Sequence, residues 1–170
     1  MLFSRFLPLF KGEKLEIRRA RIQDAYKIQE LIKKYSAEAD LLKRSIADLY
    51  SQIRDYIVAF DGKKLAGVIA VHVYWEDLSE IRSFVLEKRY RGKGYGAMLL
   101  EEALKEAKNV GTKKVFALTK IPDFFKKNGF RPIPKNKLPH KIWKDCFSCP
   151  KFPDCDESAL ILNIFKKGAK

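Results

Sequence analysis

The segment Arg91-Gly92-Lys93-Gly94-Tyr95-Gly96 constrains the fold of this chain more than any other stretch. Residues 80–86 before it alternate well enough to form a strand, and Ala97, Leu99, Leu100, Ala103, Leu104 and Ala107 after it recur at helical spacing. A strand therefore turns through glycines into a helix. Glycine lets the backbone approach an oxygen closely and turn its amides toward it, and the helix start adds a partial positive charge. A pyrophosphate fits such a turn, and Arg89, Arg91 and Lys93 would add charge around it.

Gly92-x-Gly94-x-x-Ala97 also satisfies a loose dinucleotide-binding fingerprint. That reading requires the turn to follow the first strand and an acidic residue about 20 positions on to bind ribose. Here the next strand ends at Leu118-Thr119-Lys120, and no Walker A pattern exists. An ordinary glycine-rich surface turn is the bland alternative, and the strand and helix on either side weigh against it.

The rest of the chain reads as alternating strands and helices. Residues 15–19 suit an edge strand, and Asp24 precedes Ala25, Ile28, Leu31, Ile32 and Tyr35, an amphipathic helix. Leu42, Ile46, Leu49 and Ile53 predict a second helix with Lys43 and Arg44 on its exposed side. Residues 56–60 and 65–74 flank Asp61-Gly62, a hairpin turn signal. Gly111 can end the helix after the glycine turn in the left-handed conformation. A strand at 115–118, a short helix at 122–128 stopped by Gly129 and a last strand at 159–165 complete the pattern. The fold class is α+β, mixed α/β, with a mostly antiparallel middle.

At 170 residues the chain suits one compact domain, read as 15–170 behind an N-terminal extension 1–14. Its net charge of +14 is spread along the whole length and predicts an anionic partner without naming it. Residues 1–10 are apolar but carry Arg5, stop at Lys11 and lack a small-residue cleavage site, a poor signal peptide. No segment approaches the roughly 20 apolar residues of a membrane span. The expected location is cytoplasmic, with no membrane partner.

Cys146, Cys149 and Cys155 lie within ten residues, with His140 upstream. An odd number of cysteines argues against a secreted disulfide framework. The set has enough soft ligands for a zinc site, but its spacing is irregular. No metal is expected, and Trp143, Phe147 and Phe152 suggest instead a packed cap at about 138–157. His72 stands alone in a strand, where packing is its expected role.

With these motifs in place, the chain from about Leu15 to Phe130 resembles the GNAT acetyltransferases. Arg91, Gly94 and Gly96 match the family's Gln/Arg-x-x-Gly-x-Gly/Ala turn, and Phe124-Phe125-Lys126-Lys127-Asn128-Gly129-Phe130 resembles its late aromatic element. The resemblance implies a central sheet that splays after the strand ending at Leu86, with acetyl-CoA as cosubstrate and its pantetheine in the gap. The cofactor contacts it implies are Phe84, Val85, Leu86, Arg91, Gly92, Lys93, Gly94, Tyr95, Gly96, Ala97 and Phe125, with backbone amides near Val85 and Leu86 holding the thioester carbonyl. Many family members place at position 125 a tyrosine that protonates the departing thiolate; here it is Phe125. Tyr95, Ser83 and solvent are the substitutes.

A narrower resemblance is to N-acetylglutamate synthases that lack a kinase domain. It rests on Leu42-Lys43-Arg44-Ser45 followed by Leu49, Ile53 and Tyr56, on Glu80, and on Ala117-Leu118-Thr119-Lys120 leading into Phe124-Phe125. An α-amino group must lose a proton to attack a thioester, so a nearby carboxylate is useful as base, and Glu80 is the candidate. Alternation puts Glu80, Arg82 and Phe84 on one face and Ile81, Ser83 and Val85 on the other. An acidic amino-acid acceptor also needs cations; Arg44, Lys43, Arg82 and Lys120 are the candidates, with Arg44 foremost because a guanidinium clasps a carboxylate through two hydrogen bonds. A strand glutamate is more often solvated or ion-paired than catalytic, and most Lys and Arg are surface charge. The expected partners are CoA and an acidic amino acid, L-glutamate first, with room for a homodimer. Another amino acid, a polyamine or a protein N-terminus is the alternative acceptor. A nucleic-acid-binding module is the alternative class, and no motif here favours it.

Overall fold

A computed structural model describes residues 15–39, 43–138, 147 and 154–165. Seven strands form one sheet in the order β1-β2-β3-β4-β5-β7-β6. Strands β1 (Glu16–Arg19), β2 (Tyr56–Asp61), β3 (Lys64–Trp75) and β4 (Leu78–Leu86) follow one another antiparallel. β4 then pairs parallel with β5 (Lys114–Thr119), and β7 (Ser158–Asn163) lies antiparallel between β5 and the two-residue β6 (Arg131–Pro132). The sheet is thus mixed and mostly antiparallel, as the strand pattern predicts. β6 escapes a reading from periodicity because two residues show none.

Local rules account for most element ends. Asp24 closes the turn into α1 (Ala25–Ala39), accepting from the Arg21 amide at 2.8 Å, and Ala25, Ile28, Leu31, Ile32 and Tyr35 are buried as their spacing requires. Gly62 turns the β2–β3 hairpin at φ 56°. Gly111, at φ 93°, ends α3 (Tyr95–Asn109) in a Schellman pair: its amide donates to Lys108 and the Thr112 amide to Ala107. Gly129, at φ 89°, follows α4 (Pro122–Lys127).

The second helix is shorter than its apolar stripe implies. Ser45 and Asp48 form a capping box that starts α2 at Ile46, and the helix runs only to Ser51 before a tight turn at Ile53–Asp55. Arg44 therefore precedes the cap instead of lying inside the helix. Leu42 lies outside the described residues.

Two apolar layers sandwich the sheet. On one side α3 sets Leu99, Leu100, Ala103 and Ala107 against Ile57, Ala59, Ile69, Val71 and Ile81, joined by Phe125 and Phe130. On the other, α1 and α2 bury Ile28, Ile32, Tyr35 and Leu49 against Tyr56, Val58, Phe60, Val68, Ala70 and Val85. Among the described residues, no helix is long and apolar enough to cross a membrane.

Candidate active site

β4 is the strand that shapes the site. It pairs with β5 only from Leu78 to Ile81, while its pairing with β3 continues to Leu86. From Arg82 onward its β5-side edge has no strand partner among the described pairs, so the sheet opens into a cleft. At the mouth, Ser83 takes φ 51°, which a side chain rarely adopts, and the ladder slips: Ala70 faces Arg82, whereas Val68 faces Val85.

This bulge overturns the alternation expected from sequence. One extra residue in β4 reverses the faces beyond it. Phe84 joins Ile81 on the α3 side and Val85 packs on the α1–α2 side. Glu80 and Arg82 remain together, facing His72 and Ala70 on β3. Phe84 lines the cleft with Phe124, their rings 5.4 Å apart, and a Cβ built on Gly96 would stand 3.4 Å from Phe84, Leu86 and Phe124. Phe125 turns inward, 2% exposed, against Phe124 and Phe130. Phe124, absent from the residues expected at the cofactor, stands beside the glycine turn with Phe84.

The glycine turn is built as its letters imply. Gly92 and Gly94 take φ 72° and 84°, and Gly94 is the N-cap of α3. The Met98 amide makes the bond back to Gly94 at 3.2 Å, so the earlier amides of Gly96 and Ala97 precede the first intrahelical bond. These donors, with exposed Lys93 beside them, offer a cradle for phosphate oxygens. Tyr95 itself is buried edge-to-face on Tyr90.

Arg91 points elsewhere. Its Nε donates to the Leu86 carbonyl at 2.9 Å, its Nη1 to Glu38 at 2.6 Å, and its guanidinium lies 4.8 Å over the Tyr35 ring. Arg91 and Lys88 together hold the Glu38 carboxyl below its usual range. Arg89 likewise engages Asp61 and Tyr90. These cations brace the turn against α1 and the hairpin; the charge they lend to phosphate is already partly neutralised.

The acceptor side is polar and buried. Glu80 and Arg82 are each 8% exposed. Arg82 donates to Gln52, with Asp55 at 3.7 Å and Glu80 at 4.0 Å. Asp55 also lies 2.6 Å from His72 Nδ1. The lone strand histidine thus belongs to a charged cluster and is not merely packed. Burial pushes the Tyr56 phenol up, against opposing pulls from Ser83, Arg44 and Arg82. Arg44 is half-buried beside this group, its carbonyl accepting from Gln29 at 3.2 Å. Lys43 is exposed, and Lys120 pairs with Asp156 at 2.9 Å. The structure therefore gathers Glu80, Arg82 and Arg44, and leaves Lys43 and Lys120 at the periphery. Gln52, Asp55 and Tyr56 carry no motif that would have singled them out; only Tyr56 stood within a resemblance.

Among the described residues, no group of three or more His, Cys, Asp or Glu could hold a metal ion. Cys155 is a free thiol 3.8 Å from Glu157. His140, Cys146 and Cys149 lie outside the described residues, as does most of the expected cap.

Chemically, the site joins a helix-start anion cradle, a cleft beside an open strand edge, and a buried carboxylate at the cleft's far end. The comparisons with known proteins agree with it. The model of the acetyltransferase (GNAT) family matches residues 21–130. An N-acetyltransferase of Chlorobaculum tepidum is 39% identical over 148 residues, covering 87% of this chain and 96% of the relative. An amino-acid acetyltransferase of Mycobacterium tuberculosis is 32% identical over 69% of this chain and 68% of its own. A Mycobacterium tuberculosis structure holding CoA and a second ligand superposes with TM-score 0.74 at 26% identity, covering 88% of this chain and 99% of the other. An N-acetylglutamate synthase of Neisseria gonorrhoeae with CoA and N-acetyl-glutamate shares the fold at TM-score 0.81 and 24% identity, over 92% of this chain and 36% of that longer one. A cleft built to admit a phosphate-bearing thioester beside a buried carboxylate, on a chain with these relatives, makes this protein a member of the GNAT family and an acetyl-CoA-dependent N-acetyltransferase.

Proposed function

We propose that the acceptor is the α-amino group of L-glutamate, so that the chain makes N-acetylglutamate and CoA and serves arginine synthesis. The observation that carries this reading is the contact of Arg82 with Glu80 on one buried face, with the half-buried Arg44 acting on Tyr56 beside them. A cation beside a cleft orients a carboxylate, and a carboxylate in the same pocket accepts the proton that the ammonium must lose. Glu80 acts as base, and the amides of Gly96 and Ala97 receive the pyrophosphate. The amino-acid acetyltransferase of Mycobacterium tuberculosis supports an amino-acid acceptor.

A second reading, a polar amino acid with a single carboxylate, is favoured by the engagement of Arg82 with Asp55 and Glu80. Release of thiol from acetyl-CoA across L-glutamate, L-glutamine, other amino acids and polyamines separates these readings. Glutamate as the fastest acceptor is the expected result. A protein that ignores glutamate and acetylates an uncharged amine would refute the assignment and leave N-acetyltransfer standing.

A further inference from the structure

Glu80 is buried, its side chain 11% exposed, so a proton it takes from an acceptor must leave by some other group. Directly across the β3–β4 ladder stands His72, on the same face, its side chain 28% exposed. Directly opposed residues on one face carry Cβ atoms about 4.5–5.5 Å apart, within reach directly or through one water. A carboxylate only accepts hydrogen bonds, so the 2.6 Å contact with Asp55 places a hydrogen on His72 Nδ1 and leaves Nε2 to take up and release a proton.

We propose that His72, oriented by Asp55, is the proton outlet of the acceptor site; the inference rests on Glu80 serving as base, and not on glutamate being the acceptor. The proton balance requires such an outlet. When an ammonium acceptor becomes an amide, the C–N bond forms and the thioester C–S bond breaks. One of the two protons lost from nitrogen ends on the CoA thiol and the other goes to solvent. Glu80 receives it, His72 Nε2 relays it, and the exposed imidazole edge discharges it. The imidazole faces Asp55 from the turn after α2, Glu80 from β4 and Tyr74 from its own strand, the last edge-on at 5.0 Å, while Arg82 of β4 and Tyr56 of β2 interact with Asp55. Arg82, between Asp55 and Glu80, keeps both carboxylates in place.

The test uses the amine acceptor that wild type turns over fastest, so a failed glutamate assignment appears as a change of acceptor and not as a result for His72. His72→Gln should lower kcat at least about tenfold while the KM for acetyl-CoA stays unchanged. The loss should be largest where wild type is most active. Added imidazole should restore part of the turnover of His72→Ala in proportion to its free-base concentration, an effect that a merely structural role would not produce. If His72→Ala does not fold, Asp55→Asn keeps the ring and removes its orienting charge, and should alter the acid limb of the kcat profile. Wild-type kcat at every pH in His72→Gln, a folded His72→Ala indifferent to imidazole, or an unaltered acid limb in Asp55→Asn would overturn the relay.

Discussion

Arg44→Ala is the perturbation that probes acceptor recognition most directly. Arg44 is half-buried, just before the Ser45 cap of α2, and both Tyr56 and Asp48 feel its charge. An acceptor carboxylate bound there would be partly desolvated, so its loss should exceed the 0 to about 1 kcal/mol of an exposed ion pair and fall in the range of about 2 to 5 kcal/mol. Asp48 already draws on the same guanidinium, so an incoming carboxylate replaces a partial neutralisation instead of meeting a bare charge. The lower end, about 2 kcal/mol, is the appropriate choice, and it corresponds to a roughly 30-fold increase in KM. Steady-state release of thiol, with each substrate varied in turn, should show that increase for L-glutamate and little change for acetyl-CoA. Arg44→Lys should recover only part, because an ammonium keeps the charge and loses the fork. An unaltered KM for every carboxylated acceptor, in a folded Arg44→Ala protein, would refute the placement of a carboxylate at this residue.

Glu80→Gln should reduce kcat about 100-fold or more with little effect on acetyl-CoA affinity, which steady-state kinetics and calorimetry read separately; normal turnover across the pH range would leave Glu80 a structural partner of Arg82. Gly94→Val should weaken acetyl-CoA binding in calorimetry, but the φ of 84° makes any β-branched side chain strained there, so Gly94→Asn, which tolerates that region better, is the control that separates backbone strain from a blocked phosphate approach. Asp24 accepts from Arg18 at 2.7 and 3.1 Å and from the Arg21 amide at 2.8 Å. Burial raises its pKa, yet these partners outweigh burial and hold it below 3.8. Its contribution is therefore present above pH 3.8 and lost as pH falls through the lower folded value. Asp24→Asn should cost about 1.5 to 3 kcal/mol at neutral pH in chemical denaturation, and the gap from wild type should close in strong acid; a constant gap would contradict the linkage.

The sequence by itself determined the elements whose rules are local. The glycine turn and the helix behind it, the α1 stripe, the Asp-Gly hairpin and the Gly111 and Gly129 stops all depend on residues within about a turn of one another. So does the capping box that shortened the second helix, which was legible in Ser45 and Asp48 though the apolar stripe masked it. Even Glu80 and Arg44 could be singled out, because the family resemblance attaches to short runs of letters.

Tertiary structure decided the rest because it depends on register and on partners far along the chain. The bulge at Ser83 exists only as a mismatch between β3 and β4, and it moved Phe84 to the opposite face from the one that alternation assigns. Arg91 meets Glu38 across 53 residues, Arg82 meets Gln52 across 30, and His72 meets Asp55 across 17. A cation's charge can be read from its letter, but the carboxylate that neutralises it is selected by which strand lies beside which. That is why Arg91, expected at the phosphate, braces the turn, and why His72, expected to be packed, stands in a charged cluster opposite Glu80.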